Sequence, residues 1–333
     1  MKKVILYGLP AIAVILVGAY AYLWAPDMPA AEAEAKYAND ASQFITLPDG
    51  ARIHYRDQGR WNGHPIVLVH GANASLHTWE PWVVLLGDQF RVITLDLQGH
   101  GLTGPIPSED YTTGGMADLL DRFVEAIGLE RFALGGSSMG GNIAWVYAID
   151  HPAKLDALIL VGSAGLQPPR EGESAEEGST PLFIKLLTSP LGRKLGANVS
   201  PRPLVRGGVE AMFVDQSLIN DAMVDRYVDL NLREGNRAAT LKRSANPWPD
   251  SADYQARLGE ITTPTLVLHG LGDVLVPPAV GEALAARIPD ATLILYESVG
   301  HIPMEEVAEQ SAADLRTFMD NVLGPNGRLK PGA

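Results

Sequence analysis

The chain has 333 residues, a formal net charge of −13 and no cysteine. That length holds one large domain or two ordinary ones, and a 46% hydrophobic fraction suffices to bury a core. The acidic balance argues against a nucleic-acid partner, and the lack of cysteine excludes disulfides, thiolate metal sites and cysteine nucleophiles.

Lys2 and Lys3 precede an almost wholly apolar run, Val4 to Trp24, and no charge follows until Asp27. As a helix at about 1.5 Å per residue this run spans about 30 Å, the hydrocarbon thickness of a bilayer. Tyr20, Tyr22 and Trp24 fall where an aromatic belt meets the far interface, and the two lysines place the N-terminus in the cytoplasm. The expectation is a transmembrane signal-anchor over residues 1–24, with the rest of a single-pass membrane protein on the extracytoplasmic side. A cleaved signal peptide, releasing a secreted or periplasmic chain, is the alternative, since Ala19-Tyr20-Ala21 offers a cleavage site. A buried soluble helix is the third reading. Residues 25–42, rich in Ala, Glu and Pro, read as a stalk or linker.

Strands and helices then alternate. Gln43–Leu47 and Ala51–Arg56 flank Pro48-Asp49-Gly50, a hairpin signal. Pro65–His70 and Arg91–Leu97 are apolar runs suited to strands buried on both faces, with a short helix over Trp79–Leu86 between them. Thr112 and Thr113 are placed to cap a helix that runs to about Ile127 and stops at Gly128. Phe132–Gly135 is a short strand, Met139–Ile149 a helix and Asp156–Val161 the next strand. Residues 167–180 are loop-like, and from 181 to about 255 only helical periodicity is found. Pro264–His269 and Ala291–Tyr296 resume the strands, with helices over Pro278–Ile288 and Glu305–Leu323. This predicts an α/β fold: a mainly parallel eight-stranded sheet, helices on both faces, and a helical cap (about 166–255) inserted between strands six and seven. The folded domain spans 43–323, and 324–333 is a tail.

Gly136-Ser137-Ser138-Met139-Gly140 matches G-x-S-x-G, with a strand before it and a helix after it. Small neighbours let a strand turn sharply into a helix and leave the serine hydroxyl exposed above the sheet. A tight Gly-Ser turn without chemistry is the plainer reading, and Ser137 is expected to point away. With this strand–turn–helix setting the chain resembles the α/β-hydrolase family over roughly residues 43–323. The resemblance implies a serine hydrolase whose acid follows a late strand and whose histidine follows the last one. Asp273, in His269-Gly270-Leu271-Gly272-Asp273, and His301, in Gly300-His301-Ile302-Pro303, hold those positions. It further implies an oxyanion hole from the backbone N–H groups of Met139 and, by position alone, Ala72 after His70-Gly71. His70 is read as shaping that loop.

Gly99-His100-Gly101-Leu102-Thr103-Gly104 imitates a dinucleotide fingerprint, but Pro105 and Pro107 deny it the helix such a site needs. No histidine pair has metal-ligand spacing, so neither cofactor nor metal is expected. Apolar clusters in the cap, Leu182–Leu187 and Met212–Val214, either pack it down or line an apolar acyl pocket. Asp215, Arg233 and Arg237 are left between pocket and solvent. The implied function is a membrane-anchored carboxylic-ester hydrolase for a small, apolar acyl substrate. Its rivals are a carbon–carbon hydrolase of meta-cleavage type, which usually carries a Gly-Pro-Gly-rich loop where this chain has Gly71-Ala72-Asn73-Ala74-Ser75, and a non-catalytic ligand receptor on the same fold.

Overall fold

The computed structural model describes residues 23–166, 202–245 and 251–324, together with Gly18, Tyr20, Ala21 and Asn198. Helix α1 (Ala30–Tyr37) leads into an antiparallel hairpin of β1 (Ser42–Thr46) and β2 (Arg52–Gly59). Its turn is where the sequence places it: the Asp49 carboxylate accepts from the Ala51 N–H at 3.0 Å and Gly50 takes a φ of 88°. Next come β3 (Pro65–Val69), α2 (Glu80–Leu86), β4 (Arg91–Leu95), α3 (Thr113–Ala126), β5 (Phe132–Ser137), α4 (Met139–Asp150) and β6 (Leu155–Val161). Between β6 and the next strand the described residues include the cap helices α5 (Arg202–Glu210), α6 (Asp221–Leu232) and α7 (Asn236–Arg243) and a single helical turn, Ala252–Gln255. The chain closes with β7 (Thr265–Gly270), α8 (Pro278–Arg287), β8 (Ala291–Tyr296) and α9 (Ala308–Leu323).

The eight strands form one sheet in the order β1-β2-β4-β3-β5-β6-β7-β8, antiparallel at β1–β2 and β2–β4 and parallel elsewhere. The central strands are largely apolar on both faces because alternate side chains enter two different cores. Ile66, Leu68, Ile159 and Leu266 pack with Trp82 of α2 and Leu315 and Met319 of α9. Val67, Val69, Leu158 and Val267 pack with Phe123 of α3, Ile143 of α4 and Leu284 of α8. Helix α4 is buried almost all round, which is why it shows no polar stripe.

The Thr112 cap is as expected, its hydroxyl accepting from the Gly115 N–H at 3.1 Å. The strand predicted over Arg91–Leu97 stops at Leu95, since the Asp96 carboxylate turns to bind the N–H groups of Leu76 and Leu102, each at 2.8 Å. The helix predicted from Glu305 to Leu323 is broken at Val307, whose φ of −132° and ψ of 54° separate a single turn, Pro303–Glu306, from α9.

The expected transmembrane segment, residues 1–24, lies outside the described residues except at its last positions. No helix among the described residues is long and apolar enough to cross a membrane. The tail from 325 onward and the cap stretch with Leu182–Leu187 also lie outside them. Residues 25–42, read from the sequence as a stalk, are docked instead. Met28 pairs with the end of α6, its N–H donating to Leu232 at 2.7 Å and its carbonyl accepting from Glu234 at 2.8 Å. Ala33 is fully buried, in a small core with Leu102 and Leu230. The alternating Ala and Glu of α1 read as linker composition, and it is the contact with α6 and Leu102 that gives that helix a buried face.

Candidate active site

β5 ends in the turn that the Gly-x-Ser-x-Gly run calls for. Ser138 occupies φ 53°, ψ −116°, a conformation that costs a non-glycine residue about 1–3 kcal/mol. Three backbone bonds hold it there: its N–H donates to Val161 at 3.0 Å, and its carbonyl accepts from Asn142 at 3.1 Å and Ala164 at 3.0 Å. The flanking glycines are required by close approach. A Cβ on Gly136 would lie 2.2 Å from the Gly140 carbonyl oxygen, and one on Gly140 would lie 2.2 Å from that of Val69. Ser137, expected to point away, is 2% exposed yet borders the same cavity as Ser138.

His301 sits in the loop after β8, pinned by its own N–H to the Met212 carbonyl of the cap at 2.8 Å. Its Nδ1 lies 2.7 Å from Asp273 Oδ2, with both side chains almost wholly buried. The other carboxylate oxygen, Oδ1, accepts from the N–H groups of Leu275 and Val276, each at 2.9 Å. His269 Nε2 approaches Asp273 Oδ2 at 3.3 Å while bonding to the Val276 carbonyl at 2.9 Å. Burial raises the Asp273 pKa, but the bonds from His269, His301 and Val276 outweigh it and hold the carboxyl well below the usual range. An ionised Asp273 only accepts, so His301 donates from Nδ1 and keeps the lone pair on Nε2.

Ser138 and His301 line one cavity of about 480 Å³. Its lining includes Gly71 to Ala74 and Thr78 from the loop after β3, the apolar Val205 and Val209 of α5 with Val276 and Ile302, and Tyr227 and Asn231 of α6. Ala72 borders this space, while Met139 opens α4 directly after the elbow with its side chain in the core. Among the described residues neither the Ala72 nor the Met139 N–H donates to a protein acceptor. His70 is buried beneath this loop: the Leu97 N–H donates to its Nε2 at 3.0 Å, so Nδ1 carries the proton and donates to the Gly71 carbonyl at 2.7 Å.

The remaining candidates separate. Arg237 bonds to Asp27 and the Ala25 carbonyl, Arg233 to the Glu234 carbonyl, and Asp215 accepts from the Ser217 N–H; none borders the cavity. The Gly99–Gly104 run is a loop held by Asp96, with no helix opening from it. No group of three His, Asp or Glu side chains among the described residues is arranged to hold a metal.

Two glutamates went unnoticed in the sequence, each in a stretch that carries no motif of its own. Glu306 Oε1 accepts from the N–H groups of Val214 at 2.8 Å and Asp215 at 2.6 Å, and its Oε2 from that of Gly300 at 2.6 Å. Glu305 accepts from the Thr78 hydroxyl at 2.5 Å. Burial pushes the Glu305 carboxyl up to about 7, against the opposing effects of Thr78 and Arg226.

A family model of the alpha/beta hydrolase fold matches residues 64–308. The chain belongs to the alpha/beta hydrolase family. This hydrolase is 30% identical over 290 residues to a 2-hydroxy-6-oxononadienedioate/2-hydroxy-6-oxononatrienedioate hydrolase of Cupriavidus pinatubonensis, covering 84% of this chain and 96% of the relative. It is 26% identical to Lipase 3 of a Moraxella species, covering 84% of each chain. Among solved structures it resembles a membrane phospholipase A described as a bacterial virulence factor, with TM-score 0.68, 25% identity and coverage of 96% and 99%. Its relatives thus include both lipases and meta-cleavage hydrolases.

Proposed function

We propose that the protein is a membrane-anchored serine hydrolase that cleaves a carboxylic ester or related acyl bond through an acyl-enzyme. One observation carries the reading: the cavity that holds the strained Ser138 also holds a histidine tied to a buried, ionised carboxylate at 2.7 Å. In this reading His301 Nε2 takes the Ser138 proton as Oγ bonds to the acyl carbon. The carbonyl oxygen becomes an oxyanion facing the N–H groups of Ala72 and Met139. Collapse expels the alcohol, which receives the proton from His301, and water repeats the sequence to release the acid. Asp273 keeps the imidazole in the productive tautomer and steadies it once charged. Support for the anchor is the Val4–Trp24 run behind two lysines and the likeness to a membrane phospholipase A.

The test is covalent labelling of the purified enzyme with a fluorophosphonate probe, beside turnover of p-nitrophenyl esters. Labelling is expected at Ser138, and Ser138→Ala should lose both label and turnover. A well-folded enzyme that neither labels nor hydrolyses any acyl ester overturns the reading. Carbon–carbon hydrolysis is a second reading, favoured by the 30% relative. Asn73-Ala74-Ser75 in the loop after β3, in place of a Gly-Pro-Gly run, supports ester cleavage over it. Preference for a 2-hydroxy-6-oxodienoate over every ester would reverse that order.

A further inference from the structure

His269, near the end of β7, has a fully buried side chain that does not line the catalytic cavity. Its neighbours on the strand, Leu266, Val267 and Leu268, are apolar, as a strand covered on both faces requires. An imidazole is unfavourable here on its own account. Nδ1 has no hydrogen-bond partner among the described residues. A buried ring nitrogen without a partner lowers stability, and an apolar side chain would avoid that loss. Helix α8 also gives way to the ring: a Cβ on Gly281 would lie 2.6 Å from Nδ1, so a glycine is what lets the helix close on it.

What the imidazole supplies is the N–H at Nε2. Nε2 lies 2.9 Å from the Val276 carbonyl and 3.3 Å from Asp273 Oδ2. A carbonyl only accepts, so Nε2 carries the proton. The turn it reaches depends on few other contacts. Asp273 Oδ1 accepts from the N–H groups of Leu275 and Val276, which fixes the shape of the turn but not its place above the sheet. Backbone bonds from Gly272 to Val299 and from Asp273 to Gly270 fasten only its start. Packing adds little at Val274 and Leu275, which are exposed. Val276 links the parts, with its N–H on Asp273 and its carbonyl on His269. Among the described residues, His269 is the one side chain of the sheet that bonds to this turn. On Asp273 Oδ2, His301 Nδ1 sits at 2.7 Å and His269 approaches the same oxygen.

We propose that His269 is a positioning residue for the triad: its Nε2–H ties the turn from Asp273 to Val276 down to β7 and so holds the carboxylate in line with His301 Nδ1. The inference rests on the serine-hydrolase reading and adds a residue to its machinery. It accounts for a buried imidazole with one idle nitrogen, because the other nitrogen is needed where no apolar side chain could serve. His269 does not line the cavity, so its loss should be felt in the chemical step and hardly in substrate binding.

The experiment uses the full-length enzyme with p-nitrophenyl butanoate, beside the rate at which a fluorophosphonate labels Ser138, each variant being assayed well below its melting midpoint. His269→Leu is expected to lower kcat by about tenfold or more, since small misplacements of a catalytic group have effects of that size. KM should stay within about twofold of the wild type, and the labelling rate should fall by a factor similar to that of kcat. His269→Gln, whose side-chain amide can bring an N–H to the same carbonyl, should recover much of both. A kcat and labelling rate within about twofold of the wild type in His269→Leu overturns the inference, as does a raised KM with kcat unchanged. Equal losses in His269→Gln and His269→Leu also overturn it, because the ring's volume and not its N–H would then matter. If His269→Leu does not fold, His269→Phe takes its place. If neither folds, the imidazole serves the fold itself and the inference falls. A wild-type enzyme that neither labels nor turns over any ester removes the serine-hydrolase reading and this inference with it.

Discussion

His301 can act as a base only while its Nδ1 proton is committed elsewhere, and Asp273 makes that commitment from a buried position with three other approaches, from Leu275, Val276 and His269, fixing its orientation. Asp273→Asn should therefore lower kcat by about three to four orders of magnitude while KM changes only a few-fold, because the amide favours the wrong tautomer. Steady-state kinetics of Asp273→Asn, His301→Ala and the double variant check this; losses that simply multiply would argue against a single catalytic unit. The histidines under the loop after β3 impose a separate dependence on pH. Burial lowers the pKa of His77 to about 4 and that of His100 to about 3, with Arg56 and His70, respectively, adding to the effect. Each is neutral in the folded protein and has an ordinary pKa of about 6.5 when unfolded. Their contribution to stability is complete above that value and is lost as pH falls toward 4 and 3. In this window each partly protonates the unfolded chain first, at up to about 1.4 kcal/mol per pH unit. Thermal melts between pH 7 and about 4.5 should show the midpoint falling, and His100→Gln should flatten the fall. A melting temperature independent of pH across that range would contradict the assignment.

The loop that carries His301 is fastened to the cap rather than to the sheet alone. Glu306 joins the Gly300 N–H to those of Val214 and Asp215, and the His301 N–H reaches the Met212 carbonyl. Charge-assisted bonds of this kind are worth about 1.5–3 kcal/mol each where they are shielded, and less where, as at Val214, the site is partly open. Glu306→Ala is expected to lower kcat by about tenfold or more and to cost about 1–3 kcal/mol of stability, whereas Glu306→Gln, which keeps one acceptor, should recover part of both. An Ala variant with unchanged kcat but a lower melting temperature would show that the carboxylate holds the cap without steering the histidine. The same contact explains what could be read in advance. Most of the parallel strands were legible as apolar runs between turn formers, the first two from the Pro48-Asp49-Gly50 turn between them, and the elbow was legible because only small residues fit beside Ser138. The break at Val307 was not, since Glu305 and Glu306 have good helix propensity and nothing nearby announces that one bonds to the cap and the other to Thr78. Ala72 as an oxyanion donor was placed by analogy because a backbone N–H leaves no mark in side-chain identity.

The segment after the apolar N-terminal run connects three parts of the molecule. Tyr37 and Lys36 of α1 bond to Asp229 on α6, at 2.6 and 2.5 Å, while Arg52 of β2 holds Glu34 and Arg56 reaches the Tyr37 carbonyl. Asp27 lies against Arg237 of α7, and the Ala25 N–H donates to Asn198 in the cap. The exposed ion pairs contribute little on their own. The burial of Ala33 with Leu102 and Leu230, and the shielded bonds of Arg56, give the strap most of its hold. If the run before it is an anchor, the cap is tied close to the bilayer, because no free linker separates Trp24 from the cap helices. Two truncations distinguish the anchor from the strap. A chain beginning at Ala25 should be released from membranes while melting like the full chain in detergent. One beginning at Ala41 should also be released but melt roughly 2–8 °C lower, with a raised KM as α6 loosens over the cavity. The full chain should sediment with membranes and resist alkaline carbonate extraction. Recovery of the full chain in the soluble fraction, with a mature N-terminus just after Ala21, would replace the anchor by a cleaved signal, and the expected cost of removing α1 would still stand.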